Sequence, residues 1–124
     1  MKTILKLEET AMFLVALLQF HQLELSWGWF AILFLAPDLS MLGYLAGPKT
    51  GAFCYNLTHH KGLALLIYVA GSFWAVPALL FTGILLFAHS SFDRIVGYGL
   101  KYNDQFQHTH LGMIGKPKEQ MITP

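Results

Sequence analysis

Cysteine and charge are what this chain has least of. A single cysteine, Cys54, among 124 residues excludes an intramolecular disulfide and a thiolate metal cluster, and as a small apolar side chain on a buried helix it needs no further role. Charged residues are 12 % of the chain against 55 % hydrophobic, with a mean hydropathy of +0.49, which is high for a soluble domain of this length. The net charge of +1 is uninformative about nucleic acid, but there is no basic patch with interleaved aromatics, so no nucleic-acid partner is expected. Internal repeats and low-complexity segments are also missing. After Met1-Lys2-Thr3-Ile4-Leu5-Lys6 there is no small-x-small cleavage site, and Glu8 and Glu9 interrupt the apolar run that follows. This start reads as a retained transmembrane helix and not as a secretory signal.

What is present is a series of four apolar segments, about Leu5–Gln22, Trp27–Gly47, Lys49–Gly71 and Phe73–Leu100. A hydrocarbon core takes roughly 20 helical residues to cross, and connections this short make consecutive helices antiparallel neighbours. The expected fold is therefore all-α: an integral membrane four-helix bundle over residues 1–100, followed by a short, irregular polar C-terminal tail over 101–124 at the membrane surface. Lys2, Lys6, Lys49, Arg94, Lys101, Lys116 and Lys118 fall on one side of such a bundle, whereas the loops at Leu23–Ser26 and Gly71–Ser72 have no Lys or Arg. The positive-inside rule then puts both termini in the cytoplasm, with membrane lipid as the surrounding partner. Trp27, Trp29 and Trp74 fall at the opposite interface as an aromatic belt. Lys61 alone lies inside a segment.

Ionisable residues in the apolar segments carry the functional information. His89 and Asp93 stand four apart on a helix and share a face, where an imidazole nitrogen and a carboxylate oxygen can hold one cation. Pro37 kinks the second helix just before Asp38. At about 1.5 Å rise per residue, Asp38, His59 and His89 each come out about 13 Å from the cytoplasmic helix ends, with Asn56, Asp93 and Glu9 at about 6–9 Å. An ionised Asp at a helix centre costs about 2.5–3.5 kcal/mol on insertion scales, so a shared site is the cheapest arrangement for all of them. Spacing from Asn56 leaves both His59 and His60 open as the contributing histidine.

Ala36-Pro37-Asp38-Leu39-Ser40-Met41-Leu42-Gly43-Tyr44, Tyr55-Asn56-Leu57 followed by His59, Ala88-His89 with Phe92-Asp93-Arg94 through Tyr102, and Thr109-His110-Leu111-Gly112 together resemble a small bacterial membrane family, domain of unknown function 4260. That likeness covers nearly the whole chain, implies the bacterial inner membrane and favours His59 over His60. It leaves Asn56, His60, Tyr44 and His110 as supporting residues around the site. A looser resemblance, to small inner-membrane metal-dependent hydrolases, rests on Pro37-Asp38, Thr58-His59 and His89 with Asp93; the second Asp of that pattern is Ser40 here.

The combined expectation is a divalent-metal site of Asp38, His59, His89 and Asp93 facing the cytoplasm. Mixed imidazole and carboxylate ligation suits zinc, with manganese or iron as alternatives. The ion would lower the pKa of a bound water toward about 7 and serve hydrolysis of a lipid-like or amphiphilic substrate, with Glu8 or Glu9 as proton acceptor. Two rival readings use the same residues: a haem-binding electron carrier with His59 and His89 as axial ligands, and a non-enzymatic partner or transport subunit with a polar network. Reporter fusions after Gly47 and after Leu100 are expected to signal cytoplasm and one near Ser26 the other side; opposite signals at Gly47 and Leu100 break the shared-depth argument.

Overall fold

A computed structural model describes residues 1–114. The expected tail from residue 115 onward, with Lys116 and Lys118, lies outside the described residues. In chain order the elements are α1 (Lys2–Gln22), α2 (Trp27–Leu33), a 3-10 helix (Ala36–Ala46), α3 (Pro48–His59), α4 (Lys61–Phe73), α5 (Pro77–Val96) and a two-stranded antiparallel hairpin of β1 (His108–Thr109) and β2 (Gly112–Met113). The all-α expectation holds.

Local chemistry sets these boundaries. Ser26 caps α2, its Oγ accepting from Gly28 N at 3.2 Å. Pro48 and Pro77 occupy the first turns of α3 and α5, where a missing N–H costs nothing. The α5 helix ends at Gly97, whose φ of 102° is a left-handed cap that L side chains avoid.

Two of the expected segments are not continuous α-helices. In the second, Asp38 N bonds Leu35 O at 3.0 Å, three residues back, and the chain runs on as 3-10 helix to Ala46. In the third, His60 leaves the helical region at φ −88° and ψ 112°, and its Nδ1 accepts from Leu63 N at 3.0 Å to start α4. The segment Lys49–Gly71 is therefore two helices of 12 and 13 residues. Their rise is about 18 and 20 Å, so neither half alone reaches across a bilayer core of about 30 Å.

By length and composition, Trp27–Ala46 and Pro77–Val96 are apolar enough to cross a membrane. Large apolar side chains point outward along the elements: Ile32 is 73 % exposed, Leu45 88 % and Leu66 68 %. Apolar surface of this extent is what a lipid or protein boundary requires.

The α5 helix is the central element, packed against α1 on one side and α4 on another, while α3 packs on the 3-10 helix. Ala16, Phe20, Phe30, Ile84, Leu85 and Ala88 form the buried apolar core. Directly after Ala88, toward the C-terminus of α5, the interior turns polar, with His89, Ser90, Ser91 and Asp93 all buried. At Gly83 the α4 and α5 backbones meet so closely that an added Cβ would lie 2.7 Å from Tyr68 N and 2.8 Å from Ala64 O. Gly83→Leu is expected to cost about 1–3 kcal/mol or more by forcing these helices apart, read as a lowered thermal midpoint in detergent; an unchanged midpoint would contradict this packing.

Candidate metal centre

Asp38, His59, His89 and Asp93 come together from the 3-10 helix, α3 and α5, each offering one ligand atom, and these atoms all lie within 4.8 Å of one another. His59 Nε2 is 3.3 Å from Asp38 Oδ1 and 3.2 Å from Asp93 Oδ2. His89 Nε2 is 3.1 Å from Asp38 Oδ1 and 3.4 Å from Asp93 Oδ2. Ligands at the usual zinc distances of about 2.0–2.1 Å from one ion stand roughly 3.3 Å from each other along the edges of a tetrahedron. Four of the six ligand pairs, each histidine with each aspartate, fall around that value, and the other two, His59 with His89 and Asp38 with Asp93, lie within 4.8 Å.

The proton positions follow from the second nitrogen of each ring. His89 Nδ1 lies 2.7 Å from Phe34 O, and His59 Nδ1 lies 2.8 Å from Tyr55 O. A carbonyl only accepts, so both Nδ1 atoms carry hydrogen and donate, and each neutral ring presents a lone pair on Nε2. Both lone pairs then face carboxylate oxygens that also only accept. Only a cation or added protons make that arrangement favourable.

Pro37 is the reason Phe34 O is available. In an α-helix that carbonyl would accept from Asp38 N, which is spent on Leu35 O; in a 3-10 helix it would accept from residue 37, which as proline has no N–H. The freed carbonyl fixes His89 across 55 positions of sequence. His59 is held by its ring lying flat on Tyr55, 3.8 Å between centroids at 9°. Its own carbonyl, left free by the break at His60, accepts from Arg94 Nη2 at 3.1 Å. Arg94, counted by sequence among the basic residues on one side of the bundle, is half-buried and turned inward to that helix end. Ser40 Oγ donates to Pro37 O at 2.7 Å and lies 2.9 Å from Thr58 Oγ1, which ties the 3-10 helix to α3 beside the site.

Both histidines are almost fully buried, at 1–2 %, whereas the Asp38 side chain is 32 % exposed. The open side gives onto a cavity of about 280 Å³ bounded by Asp38, Asp93, Tyr55, Lys101 and Phe106, among others. Lys101 is 5 % exposed, with its ammonium 3.7 Å from the centroid of Phe106 and 4.8 Å from that of Tyr55. Burial pushes its pKa down to about 8, against the opposing pull of Asp93 and Asp38.

The other expected site residues have different duties. Asn56 grips the Lys101 backbone, donating from Nδ2 to its carbonyl at 2.7 Å and accepting from its N–H at 2.6 Å. His60 is exposed and caps α4. The Tyr44 ring meets Phe106 edge-on at 5.3 Å. His110 accepts from Leu100 N at 2.8 Å, fastening the tail to the end of α5. Glu9 is ion-paired with Lys61, and Glu8 is exposed; neither joins the four-residue cluster. That pair also accounts for the lone lysine inside a segment.

The expected irregular tail is a hairpin up to residue 114, with Tyr102 N donating to His108 O and Ile114 N to Gln107 O. Sequence reasoning missed Tyr55 and Lys101 as site residues. Tyr55 was legible as the residue one helical turn before His59, whereas nothing local marks Lys101. For the haem reading, the two rings are 4.9 Å apart in edge contact and both Nε2 atoms aim at the same oxygens, which leaves no gap for a porphyrin plane.

Fold and site together define an α-helical protein with two membrane-length apolar elements and a buried His/Asp cluster able to hold a metal. The chain belongs to the family Domain of unknown function (DUF4260), whose model matches residues 2–114. No curated protein and no solved structure matches it.

Asn56→Ala strips both Lys101 backbone partners and is expected to cost about 1–3 kcal/mol locally, read as faster amide exchange and proteolysis across residues 101–110. His60→Ala should leave that stretch as protected as in the wild type.

Proposed function

We propose that this protein is a bacterial inner-membrane metalloprotein that binds one divalent ion, zinc before manganese or iron, through Asp38, His59, His89 and Asp93, and hydrolyses a lipid-like or amphiphilic ester. The observation that supports it most is the pair of Nε2 lone pairs facing two carboxylate oxygens at 3.1–3.4 Å, with both Nδ1 protons committed to carbonyls. An ion there would supply Lewis acidity, polarising an ester carbonyl or phosphoryl oxygen and making a water it holds a better nucleophile.

The chain's own residues define the rest. His59 and His89 are locked from behind and closed to solvent, so exchange takes place on the carboxylate side, where Asp38 meets the cavity. Among the described residues nothing donates to Asp38 Oδ2, which leaves that oxygen to accept the proton of the attacking water. Hydrolysis adds the water oxygen to carbon or phosphorus, breaks the ester bond and delivers the proton to the leaving oxygen. Glu9, paired with Lys61, then serves α1 packing and not proton transfer.

In the membrane we read four crossings with both termini cytoplasmic, the third made of α3 and α4 together. A broken crossing is tolerated where its freed backbone groups are paired, as Arg94 pairs His59 O. A second reading, a structural zinc site, is favoured by the count of four protein donors; the exposure of Asp38 to a cavity favours the hydrolytic one.

Detergent-purified protein is expected to contain about one equivalent of metal, as a single four-donor site holds one ion. Asp38→Ala and His89→Ala should lose it. Asp93→Asn should weaken it beyond the roughly 10–100-fold typical of outer-shell partners, and His60→Ala should leave it unchanged. Ester hydrolysis that chelation removes and zinc restores supports the enzyme; full metal content in both Asp93→Asn and His89→Ala would overturn the site.

A further inference from the structure

Charge in the cavity does not balance with a divalent ion in place. Asp38 and Asp93 contribute two negative charges, which such an ion cancels. Lys101 remains, 5 % exposed and lining the same cavity. None of the hydrogen bonds among the described residues uses its Nζ. The ring faces of Phe106 and Tyr55 attract the ammonium but accept no hydrogen bonds comparable to those of an anion.

Nor is the lysine there by accident of a loose surface. Its backbone is held at both polar groups by Asn56, and its chain pairs with Thr109 in an isolated bridge, so the ammonium is presented from a fixed frame. The same cavity of about 280 Å³ contains that ammonium, the two carboxylates of the metal site and the Tyr55 ring. A lysine amine facing the cavity, with no hydrogen-bond acceptor for its Nζ among the described residues and beside an electroneutral metal site, is a receptor for one negative charge.

From this juxtaposition we propose that Lys101 forms an anion subsite for a phosphate or phosphate-monoester group, one oxygen of which faces the metal position while another accepts from Lys101 Nζ. The inference rests on the metal reading above and narrows its substrate to a phosphorylated amphiphile or its inorganic product. Phosphate suits the place because its several oxygens project from one centre in different directions, so a single group serves the metal position and the ammonium together. Phe106 and Tyr55, with Met41, Tyr98 and Ile114, line the rest of the cavity with largely apolar surface, and no second cation is needed. Lys101 is on this account a substrate-binding residue, and Asn56 is a positioning residue that acts through it.

Full-length protein in detergent, loaded with cobalt(II), gives visible bands that report the site directly. Titration with inorganic phosphate and, separately, with short-chain phosphatidic acid is expected to shift those bands, with acetate far less effective. Lys101→Met is expected to weaken phosphate binding roughly 10- to 100-fold with cobalt affinity unchanged, and Lys101→Arg to retain most of it. Tighter binding of the lipid than of phosphate assigns the subsite to a headgroup, and the reverse assigns it to the free ion. Failure of the protein to bind cobalt defeats the metal reading itself. Cobalt binding with no band shift at millimolar phosphate in the wild type, or an equal shift in Lys101→Met, overturns the subsite alone and needs no assumption about how the variants fold.

Discussion

The contact between His89 Nδ1 and the carbonyl of Phe34, at 2.7 Å, is the constraint on which the rest of the centre depends. It exists because Pro37 offers no N–H and Asp38 gives its own to Leu35. One proline thus does two things at once: it frees the acceptor that orients His89, and it turns the chain into the 3-10 helix that carries Asp38 toward the same point. Without that orphaned carbonyl, the proton on His89 could reside on either nitrogen, and the lone pair would have no fixed direction.

A similar economy governs the break between α3 and α4. His60 steps out of the helical region, which leaves the carbonyl of His59 without a backbone donor, and Arg94 from α5 supplies one. In an apolar surrounding an unsatisfied carbonyl costs several kcal/mol, so the break and the arginine are two parts of one solution. Lys61, immediately after the break, is neutralised by Glu9 of α1. The charged residues that look out of place in apolar runs are therefore tied in pairs across the bundle, and the helices they connect are those that must be held relative to the four-residue cluster.

The hairpin after α5 completes the enclosure. Asn56 treats the Lys101 backbone as a strand would, with one donor and one acceptor, and His110 repeats the fastening at Leu100. These bonds place a cationic side chain over the aromatic rings of Tyr55 and Phe106 beside the carboxylates. Residues with no apparent chemistry of their own, an asparagine and a tail histidine, in this way decide what the cavity contains.

From the sequence by itself come the helical class, the pairing of His89 with Asp93 one turn apart, the convergence of Asp38 and His59 on them, and the place of Pro37 beside the site. Each of these is written in local periodicity, in proline chemistry or in the cost of an ionisable group among apolar neighbours, and such signals act over a few residues. Spacing left His59 and His60 open, and the structure separates them, since the first stays in the helix and the second ends it. The tertiary structure alone decided the inward turn of Arg94, the Glu9–Lys61 pair, the hairpin and the arrival of Lys101 in the cavity. Those depend on contacts between residues 35, 52 and 45 positions apart, where no run of neighbours records which partner is chosen. Only when α5 has packed against α1 and α4, and α3 against the 3-10 helix, do those partners come within bonding distance of each other.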